Sequence, residues 1–210
     1  MPHAPSLAGI ILAAGQSSRM GSDKALLPWP AQTAGQGLSQ GTFLSATIRS
    51  LLLSTDFVVV VAGENVNAIA PIAYANGAFV VTNPEPSLGQ FSSLQVGLRE
   101  VLNRGRDSAM IALVDRPPAS SQTVKFLREA FESAGHITWA VVPEFDGRHG
   151  HPFLAGRELI EAFLQAPPTS SARDIERRYQ DQIQYVPVDD PFVALNINTP
   201  ADYAALLTKP

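Results

Sequence analysis

Five short apolar runs, rich in β-branched residues and separated by helical stretches, constrain the fold of this chain more than any other feature. They cover residues 8–12, 57–61, 79–81, 110–114 and 137–142. Each is too short for a buried helix and lacks the alternation of a strand with one wet face. Each therefore reads as a strand covered on both sides. The intervening stretches place apolar residues at helical spacing. Phe43, Leu44, Ile48, Leu51 and Leu52 form one such stripe, and Leu94, Leu98, Val101 and Leu102 form another. Similar patterns run over 124–131, 159–163 and 201–207. Strands alternating with helices build βα units and a mostly parallel sheet. Right-handed crossovers then bring the carboxyl ends of the parallel strands to one rim, where ligands bind. The expected class is α/β.

A chain of 210 residues suits one domain spanning 1–210. Its composition is 45% hydrophobic and only 16% charged, which excludes a disordered chain and a coiled coil. The net charge is −4 and no run of Lys or Arg occurs, so nucleic acid is not an expected partner. The apolar opening stretch, 7–15, falls far short of the ~20 residues of a membrane span. No basic flank precedes it, as a signal peptide would need. A cytoplasmic, membrane-free protein is expected. Cysteine is absent, which removes disulfides, thiolate zinc sites and cysteine nucleophiles together. Two segments lack periodicity. Residues 30–41, PAQTAGQGLSQG, read as a flexible loop. Residues 143–156 read as irregular, with Asp146-Gly147 as a hairpin turn.

The chemistry concentrates after the first strand. There the chain reads Leu12-Ala13-Ala14-Gly15-Gln16-Ser17-Ser18-Arg19-Met20-Gly21-Ser22-Asp23-Lys24. Gly15 and Gly21 permit close backbone approach, and successive backbone N–H groups in such a loop form an anion-binding concavity. Arg19 adds a planar fork and Lys24 a point charge. The combination suits a triphosphate. The spacing is neither that of a Walker A loop nor that of a dinucleotide-binding G-x-G-x-x-G.

The stretch LAAGQSSRMGSDKALLPW closely resembles the signature of the nucleotidyltransferases of molybdenum-cofactor biosynthesis, the MobA-like superfamily, with its pattern L-A-[AG]-G-x-S-x-R-M-G-x-x-K. Further likeness continues to the C-terminus. Within the superfamily, Ala14 resembles the molybdopterin cytidylyltransferases, since the guanylyltransferase branch usually has Gly there. The resemblance implies a single Rossmann-like three-layer domain of the nucleotide-diphospho-sugar transferase type, its mixed sheet holding one antiparallel strand. It implies transfer of a nucleotide from a nucleoside triphosphate, CTP favoured, with Lys24 and Arg19 on phosphate. Leu12, Ala13, Ala14, Gly15, Ser17, Ser18 and Gly21 would complete the loop around the donor.

Asp115 ends the apolar run Met110-Ile111-Ala112-Leu113-Val114. A strand-end carboxylate can anchor Mg²⁺, which takes one or two carboxylates plus phosphate oxygens and water. It can equally cap the next turn. The resemblance assigns Asp115 to Mg²⁺ through the family's D-x-P motif. Arg116 departs from the Met or Gln usual there, and either a phosphate contact or an outer salt bridge would suit it. The ending Leu195-Asn196-Ile197-Asn198-Thr199-Pro200-Ala201-Asp202-Tyr203 resembles the family's [DN]-x-[DN]-T-P-x-D-[LY] and points to Asn198 as a second metal ligand. Thr199, Pro200 and Asp202 also suit a helix start, and Asn196 and Asn198 would share one strand face.

Two further segments match the family. Asn83-Pro84, followed by Gly89-Gln90-Phe91-Ser92-Ser93-Leu94, resembles its N-P…G-x-x-S-S-L. This implies that Asn83, Ser92 and Ser93 help to read the base, while both serines equally suit helix capping. Gly147-Arg148-His149-Gly150-His151-Pro152 resembles the cytidylyltransferase branch's G-R-x-G-H-P, so Arg148 and His151 would face the acceptor. A zinc site from His149 and His151 lacks ligands, and a plain surface hairpin is the other reading of these residues.

The implied reaction joins the terminal phosphate of a phosphorylated acceptor, molybdopterin above all, to the α-phosphorus of the donor. A molybdoenzyme would receive the product. A sugar-phosphate acceptor and a guanylyl donor are the alternatives within the enzyme class. Arg116 and Asn198 motivate an alternative of another class, a non-catalytic cofactor chaperone.

Overall fold

The computed structural model describes residues 6–15, 17, 20–29 and 41–207. Gln16, Ser18, Arg19 and residues 30–40 lie outside the described residues, and with them the expected loop and the expected roles of Ser18 and Arg19.

The strands are β1 (Leu7–Leu12), β2 (Pro28–Trp29), β3 (Gly41–Thr42), β4 (Phe57–Ala62), β5 (Phe79–Thr82), β6 (Ser108–Leu113), β7 (Ala140–Phe145), β8 (Arg148–His149), β9 (Phe153–Ala155) and β10 (Ile183–Pro187). The helices are α1 (Phe43–Leu52), α2 (Val66–Ala75), α3 (Gln90–Asn103), α4 (Ser121–Ser133), α5 (Arg157–Gln165), α6 (Ala172–Arg178) and α7 (Pro200–Leu207). The main sheet has the order β10-β7-β9-β6-β1-β4-β5, with β8 paired to β7. β4, β1 and β6 run parallel, as do β4 with β5 and β7 with β10. β9 is antiparallel to both of its neighbours, β6 and β7. The expected mixed α/β sheet is present. Among the described residues no helix is long and apolar enough to cross a membrane.

Alternation along each strand divides the core into two layers. Leu7 and Ile11 of β1 and Val58 and Val60 of β4 pack with Leu44, Ile48 and Leu51 of α1, Ile69 of α2, and Val124 and Leu127 of α4. The opposite faces, with Ala8 and Ile10 of β1 and Ile111 of β6, meet Leu94 and Leu98 of α3 and Leu159, Ile160 and Phe163 of α5. The result is three layers, helix on sheet on helix. α3 lies especially close, because a Cβ on Gly97 would stand 2.8 Å from Ile10 Cγ2.

A third cluster joins the two ends of the chain. Met20, Leu27 and Phe43 pack against Ile197 and Leu206, with Trp29 edge-on to both Phe43 and Phe192. Tyr203 donates its hydroxyl to the Pro28 carbonyl at 3.0 Å. This cluster fixes α7 and the segment before it beside the loop that follows β1.

The apolar runs read as strands form strands, with one shifted and one not covered on both sides, since β5 is the edge of the sheet and its Phe79 is 43% exposed. The fifth begins at Ala140 rather than 137, because Ile137 lies in a turn and is 78% exposed. The segment 143–156 is more regular than its composition suggests. Asp146 and Gly147 both take positive φ, at 50° and 69°, making the expected tight hairpin turn between β7 and β8. After it, Phe153-Leu154-Ala155 enter the sheet as β9. Residues 195–198 join no strand, so Asn196 and Asn198 do not share a strand face, and Asn196 is exposed.

Candidate active site

The winding of the sheet decides where a ligand can sit. The chain runs outward from β1 through β4 to β5, then returns to β6 on the other side of β1. The loops leaving β1 and β6 therefore part at the carboxyl ends of adjacent parallel strands, the switch point at which open α/β sheets bind ligands. A cavity of about 490 Å³ opens there. Its walls include Leu12, Ala14, Gly15, Ser17 and Lys24 after β1, Val114 and Asp115 after β6, and Pro86, Ser87, Gly89, Gln90 and Ser93 before and in α3.

The first wall is pinned at both ends. Ala13 N–H donates to Val61 O at 2.9 Å, and Val114 N–H donates to Leu12 O at 3.1 Å, so the ladder runs one residue past β1 on either side. Farther along, Lys24 N–H donates to Ser17 Oγ at 3.2 Å, which closes the loop on itself. Asp23 caps the short helical turn 24–26 by accepting from Ala25 N–H at 2.9 Å. Gly21 takes φ of 74°, a region open to glycine.

Lys24 lines the cavity though mostly buried, and its ammonium meets two oxygens. Nζ donates to Asn198 Oδ1 at 3.1 Å and stands 3.8 Å from Asp115 Oδ2. Lys24, Asp115 and Asn198 thus come together as the sequence suggested, although 174 residues separate Lys24 from Asn198. Two backbone links bring Asn198 there. Ile197 N–H donates to Asp115 O at 2.8 Å, and the Asp202 carboxylate accepts from Asn198 N–H at 2.9 Å and Thr199 N–H at 2.8 Å. Those amides hold Asp202 below the ordinary carboxylate range. Asp115 Oδ1 is buried without a hydrogen-bond partner among the described residues. A buried carboxylate oxygen left unbonded is costly, and a cation is the partner that suits it. One carboxylate and one amide oxygen are a sparse set, appropriate to Mg²⁺ that also keeps water and phosphate oxygens. No group of three or more His, Cys, Asp or Glu side chains suited to a metal occurs among the described residues.

The serines of α3 divide in role. Asn83 Nδ2 donates to Ser92 Oγ and to Ser93 Oγ, each at 2.9 Å, and Asn83 Oδ1 accepts from Glu85 N–H at 3.0 Å. Ser92 Oγ donates to Gly89 O at 2.8 Å. Asn83 and Ser92 are buried braces that shape the 84–89 wall, while Ser93 reaches the cavity lining. Sequence reasoning had not picked out Pro86, Ser87 and Gln90, which form the same wall. Gly89, with φ of 101°, was the available signal for a backbone turning into a site.

Arg148 and His151 do not line this cavity. Arg148 is exposed at the hairpin end of β8. Beside it, His149 stacks on Tyr185 at 3.9 Å between ring centroids and lies 3.4 Å from Glu144. His151 lies with Arg116 in the wall of a small pocket under the loop that follows Asp115. Its Nδ1 is sealed without a partner among the described residues. Burial, with repulsion from Arg116 added, lowers its pKa to about 3. The open question of Arg116 has a geometric answer. Nη1 donates to Val193 O at 2.6 Å, and His151 N–H donates to the same carbonyl at 2.9 Å. Arg116 thereby clasps the segment leading to Asn198. Burial pushes its guanidinium below the ordinary value, Asp115 opposes that shift, and Arg173 adds to it.

Comparison with known proteins agrees with this geometry. Residues 9–183 match the MobA-like NTP transferase domain. The chain is 30% identical to the probable molybdenum cofactor guanylyltransferase of Rhodopirellula baltica, over 96% of this chain and 93% of that one. It is 26% identical to the molybdenum cofactor cytidylyltransferase of Escherichia coli, over 92% of each. Among solved structures it is similar to Rv0371c from Mycobacterium tuberculosis H37Rv, with a TM-score of 0.78 and 24% identity, covering 99% of this chain and 100% of that one. That likeness concerns the fold.

Proposed function

The chain belongs to the MobA-like NTP transferase family, and on that premise we propose that it moves an NMP group from an NTP to a phosphorylated acceptor and releases pyrophosphate. The meeting of Lys24 and Asp115 in the lining of a cavity at the sheet's switch point, with Asn198 bonded to the Lys24 ammonium, carries this reading. The acceptor is molybdopterin, in the biosynthesis of the molybdenum cofactor. The names of the relatives support that choice, because curated relatives with either nucleotide preference share this cofactor.

CMP is the favoured group. Its support is Ala14 and the Gly150-His151-Pro152 segment, both similar to the cytidylyltransferase branch. GMP is the second reading, favoured by the guanylyltransferase name of the 30% identical relative.

The reaction needs no covalent intermediate on the protein. An oxygen of the acceptor's phosphate forms the new bond to the α-phosphorus, in line with the bond to the β-phosphate that breaks. Pyrophosphate leaves with that electron pair. A phosphate monoester is already largely deprotonated at neutral pH, its second pKa being about 6, so no general base is required. The protein contributes position and charge. The amides of the Gly15 loop cradle the triphosphate, and Lys24 turns its ammonium toward it from a preset place. The 84–89 wall and Ser93 hold the base side. Asp115 and Asn198 are the residues that would hold Mg²⁺, which when bound supplies neutralisation of the triphosphate and its leaving group. A molybdoenzyme would take the finished cofactor.

The test is pyrophosphate release from each NTP with molybdopterin as acceptor. Lys24→Ala and Asp115→Ala should each lower the rate at least 100-fold, the scale of a lost charge-stabilising contact, while leaving the far-UV spectrum native. Near-normal release by either variant removes its assigned role.

A further inference from the structure

We infer that the turn Gly63-Glu64-Asn65, which leaves β4, is a positioning element for the phosphate loop, and that Asn65 is its acting residue. The inference rests on the nucleotide-binding reading of the cavity and adds a residue from a different βα unit to it.

Asn65 occupies the N-cap of α2, where an Asn side chain ordinarily accepts from a helix amide. Here its side chain makes no capping bond. Its bonding capacity goes elsewhere. Nδ2 donates to Ala13 O at 2.9 Å and to Asp23 Oδ2 at 2.6 Å, and Oδ1 accepts from Gly63 N–H at 3.1 Å. The amide orientation is forced, since a carbonyl and a carboxylate can only accept. One side chain thus ties together the start of the phosphate loop, its end, and the end of β4. Asp23, the far partner, gives its other oxygen to Ala25 N–H and so caps the turn that bears Lys24.

Gly63 completes the element. A Cβ there would stand 2.8 Å from Ala14 O and 3.3 Å from Ala14 Cα. The obstructing atoms are backbone, so a side chain could be admitted only if the loop moved. The loop's first residues therefore lie directly on the turn, with Asn65 holding them down. Neither Gly63 nor Asn65 lines the cavity at the sheet's switch point, while Glu64 and Asn65 border a second hollow of about 520 Å³ with Ala14, Gly15, Ser17 and Asp23, so the effect on a ligand in the first cavity is through the loop. The two ends of the loop, at Ala13 and Asp23, are thus held in place before ligand arrives, which lowers the ordering cost of binding.

The experiment is calorimetric titration of the full-length chain with CTP, with GTP and with inorganic triphosphate, each with Mg²⁺, alongside thermal unfolding. Asn65→Ala should weaken binding of the preferred nucleotide and of inorganic triphosphate about equally, by tenfold or more, the scale of one lost charged hydrogen bond. Equal loss for the two ligands reads the phosphate loop and not the base wall. A side chain that merely stabilised the fold would lower the melting temperature and leave the dissociation constant of the folded protein unchanged. That result overturns the inference.

The pair Asn65→Asp with Asp23→Asn supplies a rescue. Asn65→Asp alone sets two carboxylates together and should bind worse than Asn65→Ala. Adding Asp23→Asn lets the new amide at position 23 donate to the new carboxylate at position 65, and should recover part of the affinity. No recovery counts against the inference. Should Asn65→Ala not fold, Asn65→Ser, which keeps one donor, is read in the same way. Failure of the unmodified chain to bind any nucleotide is a distinct outcome: it overturns the functional reading itself, and this inference with it.

Discussion

Replacing His151 with Asn should flatten the acid side of the stability profile. His151 Nδ1 is buried beside Arg116 and has no partner among the described residues. The folded state therefore resists protonation, with a pKa of about 3 against 6.5 for the free side chain. Between those values the unfolded chain binds the proton and the folded chain does not, so stability falls as pH falls through this window. The slope is about 1.4 kcal/mol per pH unit for one proton. From the midpoint of the unfolded histidine down to pH 5, the loss reaches about 2 kcal/mol. Urea unfolding of the wild type and of His151→Asn at pH 7 and pH 5 measures it. Other groups titrate in both proteins, so the difference between the two pH differences isolates this side chain. It should be about 2 kcal/mol, with the wild type the more acid-sensitive. Equal pH dependence in the two proteins would refute the argument that His151 is held neutral.

Two further outcomes follow from packing. Asp190 is buried and takes bonds from Ser120 N–H, Thr123 Oγ1 and Phe192 N–H, joining α4 to the turn that precedes Asn198. Asp190→Ala should cost about 3 kcal/mol and lower the melting temperature by roughly 6 to 12 °C; a change within 2 °C of zero would contradict it. Gly97→Ala should cost about 1 to 3 kcal/mol through overpacking against Ile10, read from the denaturant midpoint at constant slope.

How much of this was legible depended on how locally each feature is encoded. β1, β4 and β6 are covered on both faces, so their sequences are continuous apolar runs and show plainly. α2 went unread, because VNAIAPIAYA is apolar nearly all round and holds Pro71, and the contrast between faces is weak. β9 is three residues long, and β10 buries only Ile183 and Val186 of its five, too little pattern for a periodicity to detect. The same division runs through the site. Lys24 and Asp115 sit on motifs, and their meeting follows from β1 and β6 being neighbours. Asn198 was reached by resemblance alone, since what brings it near is tertiary: the bond from Ile197 N–H to Asp115 O and the packing of Leu206 and Ile197 on Met20 and Phe43. The roles of Arg116, Asn83 and Asn65 depend on which carbonyl or hydroxyl each meets, and no spacing in the chain encodes that.

The most direct test of the proposed nucleotide and metal site is thermal unfolding with CTP, GTP, UTP and ATP, each with and without Mg²⁺, and with Asp115→Ala beside the wild type. A ligand at 100 times its dissociation constant adds about 2.7 kcal/mol, a rise of roughly 5 to 10 °C for a chain of this size. That rise is expected with one nucleotide, CTP before GTP, and is lost when either Mg²⁺ or the Asp115 carboxylate is removed. No rise with any nucleotide would contradict a nucleotide site at the end of β1.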